Sequence, residues 1–210
     1  MRLFSNYEFQ SKTAENGQPA RFELFQLNDF LTKLPVKFIL AATRNENLEL
    51  IKRFKEKVGI IIFDAHIGML PGVHDAFLRR VTELIPSNRI ILVGLREFSL
   101  AEHTFLKELK IRYFSMQAVN ENIVGVCDTV MENANEWQHC HVFISFDVVD
   151  PAFVTVPRPS VGGMSSRELI YFVQRLRFLR NYTSATVVDF EQCISLAEKV
   201  LTECAVVRDD

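Results

Sequence analysis

Asp64 and His66, separated by one alanine, and Asp147, far along the chain, are the residues here with the clearest chemical use. Alternate residues at a strand end point the same way, so Asp64 and His66 would reach out together. A carboxylate oxygen and an imidazole nitrogen so placed suit a divalent metal ion. The dipeptide spacing alone is also met by an Asp capping a loop and a His buried at a strand end. Convergence with a second acidic strand end favours the metal reading, and Asp147 supplies it. It closes Ser145-Phe146-Asp147 after another buried apolar run.

The elements that would position these side chains follow from hydrophobic rhythm. Residues 59–63 form a short unbroken apolar run, as a strand buried on both faces shows. From residue 36 onward such runs alternate with helical stretches of about a dozen residues, the βαβ signature of a parallel sheet. Strands are expected at 36–42, 59–63, 89–95, 112–115, 141–146 and 185–190. Helices are expected from 45 through 57 and at 74–84, 100–109, 121–137, 166–179 and 194–206. A loop rich in Pro and Gly joins Asp147 to Ser165. Right-handed crossovers then place helices on both faces of one sheet, whose carboxyl edge is the usual ligand-binding crevice. Thr43-Arg44 would end the first strand at that same edge. His139-Cys140-His141 resembles a metal cluster, but adjacent strand residues alternate faces, so it reads as a strand start.

Composition narrows the function. The 210 residues fit one domain, 1–210, in which 1–35 is irregular and 36–207 rhythmic. A net charge of −2 gives no electrostatic case for nucleic acid or an acidic membrane. There is no transmembrane-length apolar run and no signal-peptide core at the start. Four cysteines without paired metal spacing then read as reduced thiols in a cytoplasmic protein.

Several ordered motifs together resemble the arginase–agmatinase–formimidoylglutamase (ureohydrolase) family. Phe63-Asp64-Ala65-His66 is similar to its D-A-H-x-D metal motif, and Val93-Gly94-Leu95-Arg96-Glu97 to its G-x-R-D/E strand end. The segment from Ser145 to Phe153 resembles D-x-D-x-x-D-P, and Gly162-Gly163-Met164-Ser165-Ser166-Arg167-Glu168 the G-G-L-[ST]-x-R-E turn and helix start. The resemblance implies a three-layer α/β/α fold with a mainly parallel sheet. It also implies a pair of Mn²⁺ ions serving metal-assisted attack on a guanidinium or amidine carbon.

Half of the family's ligand positions are changed. Arg44 stands at the His of the G-G-D-H turn, Gly68 at the last Asp of D-A-H-x-D, and Ser145 at the first Asp of D-x-D-x-x-D-P. Asp64, His66 and Asp147 remain, a set that the related histone-deacetylase branch uses for a single Zn²⁺. His74 resembles the family's loop His that carries protons or meets substrate, and Glu191 its strand-end Glu that pairs with the substrate guanidinium.

Two expectations follow. In one, the chain cannot hold a two-Mn²⁺ centre and has lost or altered guanidino hydrolysis, keeping a ligand-binding or partner-subunit role. In the other, it is a hydrolase of C–N bonds with one divalent metal, Zn²⁺ or Mn²⁺, on Asp64, His66 and Asp147, with His74 and Glu191 as catalytic groups. A small guanidino or amide ligand, and a homo-oligomer or an assembly with an active relative, are the expected partners. Arg44 separates the two: if it replaces the missing cation, its guanidinium should lie within hydrogen-bonding distance of Asp64 or Asp147.

Overall fold

The computed structural model of the chain describes residues 38–41, 44–54, 57–68, 76–190 and 192–205. Six strands form one parallel sheet: β1 (Phe38–Ala41), β2 (Val58–Phe63), β3 (Ile90–Leu95), β4 (Arg112–Ser115), β5 (His139–Ser145) and β6 (Tyr182–Val188). Their spatial order is β1-β6-β5-β2-β3-β4, with every neighbour parallel. From β1 at one edge the strand sequence thus crosses to the centre, runs out to the other edge and returns. Strands β5 and β2 are both central, and they are the strands that carry Asp147 and Asp64.

Among the described residues seven α-helices connect and cover the sheet: α1 (Arg44–Phe54), α2 (Phe77–Leu84), α3 (Leu100–Glu108), α4 (Met116–Glu121), α5 (Ile123–Asn135), α6 (Ser166–Leu176) and α7 (Ile194–Ala205). The two faces of β2, β3 and β5 feed two separate cores because side chains alternate along a strand. Ile61, Phe63, Ile91, Val93, Val142 and Ile144 face α5, α6 and α7. Val58, Ile60, Ile62, Ile90, Leu92 and Phe143 face α1 and α2 instead. Double-sided burial explains why these strands read as unbroken apolar runs.

The helix expected at 121–137 is α5, Ile123–Asn135, and a short helix that was not expected, α4, precedes it at Met116–Glu121. Asn122, at φ −157°, ends α4, and its side chain accepts a hydrogen bond from the Gly125 N–H to start α5. The strand expected at 141–146 begins earlier, at His139, and gives way at Phe146–Val148 to a 3₁₀ turn. The strand expected at 185–190 begins at Tyr182 and ends at Val188. The earlier starts reflect pairing, His139 and Cys140 with Val58 and Gly59 of β2, and Tyr182 and Ser184 with Cys140 and His141 of β5.

The long loop between β5 and α6 is fixed at both ends. Asp150 accepts hydrogen bonds from the N–H groups of Ala152, Gly162 and Gly163, closing the loop on itself. Gly163 must be glycine, since a Cβ there would lie 2.6 Å from both the Arg96 guanidinium and the Asp150 nitrogen. Ser165 and Glu168 then form a capping box that starts α6. Among the described residues no helix is long and apolar enough to cross a membrane.

Candidate metal centre

Asp64 leaves β2 with its carboxylate aimed along the carboxyl edge, and the His66 backbone N–H donates to its Oδ1 at 3.0 Å. The Ala65 carbonyl accepts the N–H groups of Arg96 and Glu97, both at 3.0 Å, tying this turn to the end of β3. Asp147 sits in the 3₁₀ turn after β5, fully buried, with its N–H donating to Ser145 Oγ at 3.3 Å. Asp64, His66 and Asp147 therefore converge, and one donor atom from each lies within 4.8 Å of the others. His66 Nδ1 is 3.5 Å from Asp64 Oδ1 and 3.7 Å from Asp147 Oδ2.

Arg44 opens α1 and reaches over the strand ends. Its Nη1 donates to Asp64 Oδ2 at 3.3 Å; its Nη2 donates to Ser145 Oγ at 3.1 Å and to Asp189 Oδ2 at 2.5 Å. Asp147 Oδ2 is 3.7 Å from the same Nη2. The placement of Arg44 rests on a buried polar contact one helical turn later. Asn47 Nδ2 donates to His141 Nε2 at 2.7 Å and to Thr186 Oγ1 at 2.9 Å, while His141 Nδ1 pairs with Ser184 Oγ at 2.7 Å. Since Nε2 accepts from an amide, the proton sits on Nδ1 and the ring is neutral. Burial pushes His141 down to about 3.

Two participants escaped the sequence reading. Arg158, from the loop between β5 and α6, brings Nη2 to 2.5 Å from Asp147 Oδ2. Asp189, just past β6 and at φ 59°, accepts from both Arg44 and Ser145. Asp189 carried a readable signal as another polar residue ending a strand at the same edge. Arg158 carried none, because it lies in an irregular segment without periodicity. Its position depends on Arg96, which donates to the carbonyls of Gly94, Asp147, Val148, Val149 and Ser160 at 2.8–3.4 Å. One half-buried guanidinium thus holds the turn bearing Asp147 and the backbone two residues beyond Arg158.

The two carboxylates titrate in opposite directions. Burial alone would raise Asp64, but Arg44, the adjacent His66 and Arg158 together outweigh it and hold its carboxyl below the usual range. Burial and the neighbouring Asp64 push Asp147 up to about 6, against the pull of Arg158 and Arg44. Asp147 is thus the carboxylate least well compensated by the protein.

Whether these residues suit an ion can be judged from unsatisfied atoms. His66 Nδ1 and both oxygens of Asp147 are buried without a hydrogen-bond partner. Arg158 approaches Asp147 Oδ2 as an ion pair, outside hydrogen-bonding orientation. A buried polar atom left so calls for an explanation, of which a bound ion is one. An Asp–His–Asp donor set fits Zn²⁺ or Mn²⁺. His74 and Glu191 lie outside the described residues. The other described histidines are elsewhere: His139 packs on Phe54, His103 pairs with Tyr113, and His141 holds Asn47.

Comparison with known proteins gives a consistent outcome. A family model described as Arginase family matches residues 43–194. Arginase-1 of Homo sapiens is 35% identical over 155 residues, 59% of this chain and 47% of that protein. Arginase-1 of Sus scrofa is 35% identical over 134 residues, 60% of this chain and 36% of that protein. The matches thus span less than half the length of these curated relatives. Among solved structures, arginase from Bacillus caldovelox superposes with a TM-score of 0.73 at 18% identity, over 83% of this chain and 70% of that one. Formimidoylglutamase from Bacillus subtilis does so with a TM-score of 0.70 at 20% identity, over 80% of this chain and 60% of that one.

Proposed function

Because the chain belongs to the arginase family, we propose that it carries a centre for one divalent ion, Zn²⁺ or Mn²⁺, on Asp64, His66 and Asp147, and binds a small ligand there without two-Mn²⁺ guanidino hydrolysis. The observation that supports this best is the set of buried donors without a hydrogen bond, His66 Nδ1 and the Asp147 oxygens, of which Oδ2 meets only the Arg158 and Arg44 charges and His66. Among the described residues a second ion has no comparable set. Arg44 takes the place of a family ligand, and its guanidinium already occupies Asp64, Ser145 and Asp189. Ser145, where the family has an Asp, donates to Asp189. Gly68, where the family has another Asp, offers no donor and has open space beside it.

A bound ion would supply Lewis acidity toward an oxygen-bearing ligand. The chain's own residues do the rest. Arg44 neutralises Asp64 and Asp189, Arg158 neutralises Asp147, and Arg96 keeps the Asp147 turn in place. Hydrolysis of a C–N bond would need a further proton carrier. His74 is the sequence's candidate for that carrier.

The test pairs metal titration with activity. Metal-free protein titrated with Zn²⁺ or Mn²⁺ should take up one ion, and Asp147→Ala should abolish uptake. Arginine, agmatine and formimidoylglutamate should all remain intact. Two Mn²⁺ per chain with urea release would overturn the proposal.

A further inference from the structure

Resting on the one-ion reading above, we propose that the ligand this centre takes is a carboxylate, not a guanidinium, and that Arg158 is the residue that selects it. The first argument is charge. Ion-paired around the three donors are three carboxylates, Asp64, Asp147 and Asp189, and two guanidiniums, Arg44 and Arg158, while the Arg96 guanidinium beside them is balanced chiefly by Asp150. The divalent ion turns a deficit of one positive charge into an excess of one. An anion then completes the balance, while a guanidinium would add a further cation to a buried site that already holds two.

The second argument is space. Arg44, Asp64, His66, Gly68 and Arg158 line a cavity of about 10 Å³. That volume is about the least that admits one water-sized group. Neither a carboxylate nor a guanidinium fits such a space whole, but the Arg44 and Arg158 guanidiniums in its lining would draw in a carboxylate oxygen and repel a third guanidinium.

The third argument concerns Arg158 itself. Arg44 is committed to Ser145 and two aspartates, and it enters α1 beside the buried Asn47–His141 contact. Arg158 comes from a loop and meets the cluster through Asp147 Oδ2. Its planar fork suits bidentate pairing with a carboxylate. When Asp147 serves an ion, the guanidinium that balanced it becomes available to an anionic ligand. Ion and carboxylate should then bind with positive and reciprocal coupling.

The experiment measures Zn²⁺ affinity by competition with a chelator, with and without sodium acetate, in the parent and in Arg158→Gln. In the parent, acetate should tighten Zn²⁺ by about tenfold, within the usual range of coupling between two sites. In Arg158→Gln the acetate effect should vanish, and Zn²⁺ alone should bind at least as tightly as to the parent. Complexation of Zn²⁺ by acetate in solution is common to both proteins and cancels in the comparison. If Arg158→Gln does not fold, Arg158→Lys replaces it and should keep a weakened acetate effect. Guanidinium chloride at matched ionic strength should leave Zn²⁺ affinity unchanged. Zinc bound stoichiometrically with no response to acetate, or tightened by guanidinium, would overturn the carboxylate proposal and leave the one-ion reading standing. Absence of zinc binding in parent and variant alike would overturn the one-ion reading, and the carboxylate proposal with it.

Discussion

Replacing Arg44 by alanine tests the charge architecture of the cluster directly. Its side chain is only 11% exposed, and its guanidinium meets Asp64 at 3.3 Å, Asp189 at 2.5 Å and Asp147 at 3.7 Å. Removing one partner of a buried ion pair costs about 3–5 kcal/mol, because the other charge stays behind uncompensated. Asp189 keeps 25% exposure and Arg158 remains beside Asp147. The low end, about 3 kcal/mol, is therefore expected for Arg44→Ala in metal-free protein. For a chain of this size that is a fall in Tm of about 6–12 °C.

The cost should also depend on pH. Asp147 already sits at about 6, and losing Arg44 raises it further by removing a cation that pulls it down. A folded-state pKa raised above the unfolded value contributes stability at low pH that is lost as pH rises through it. The gap between parent and variant should therefore be smaller near pH 5 than near pH 8. Urea denaturation of chelator-treated protein at both pH values is the assay. A variant that unfolds like the parent at both would refute the idea that Arg44 supplies the cluster's missing charge.

Three other outcomes are expected. Asp147→Asn removes a buried carboxylate raised from 3.8 to about 6, so it should stabilise the metal-free fold at neutral pH by up to about 3 kcal/mol while losing Zn²⁺, measured by melting with and without the ion. His141, lowered from 6.5 to about 3, contributes stability above pH 6.5 that is lost as pH falls toward 3, a slope that Asp147 opposes over much of that range. Stability of Asp147→Asn should therefore fall on acidification by about 1.4 kcal/mol per pH unit more steeply than the parent's between about pH 6 and 4. Restoring the family's donors together, Arg44→His with Gly68→Asp and Ser145→Asp, should raise Mn²⁺ stoichiometry from one to two by elemental analysis, whereas Arg44→His alone should not.

Much of this architecture was legible in the sequence because it rests on local signals. Strands β2, β3 and β5 are buried on both faces, and unbroken apolar runs announce that. Asp64 and His66 could be paired because strand geometry fixes the relation of residues two apart. Asp147 could join them because parallel strands share a carboxyl edge. Arg44 was marked by its departure from a family motif. The short helix α4 was hidden, since its six residues span too few turns to show a helical rhythm. Arg158 was out of reach, because its position comes from Arg96 and Asp150 closing a loop through contacts distant in sequence. The same holds for the polar set of Asn47, His141, Ser184 and Thr186, in which no member is informative alone.

The most direct test of the central claim is a crystal grown with Zn²⁺ and read by anomalous scattering at the zinc edge. One peak per chain, between Asp64, His66 and Asp147, with the Arg44 guanidinium still on Asp64 and Asp189, is the predicted result. Two peaks, with Arg44 displaced, would contradict the account. So would the absence of a peak at a zinc concentration that saturates comparable Asp–His–Asp sites.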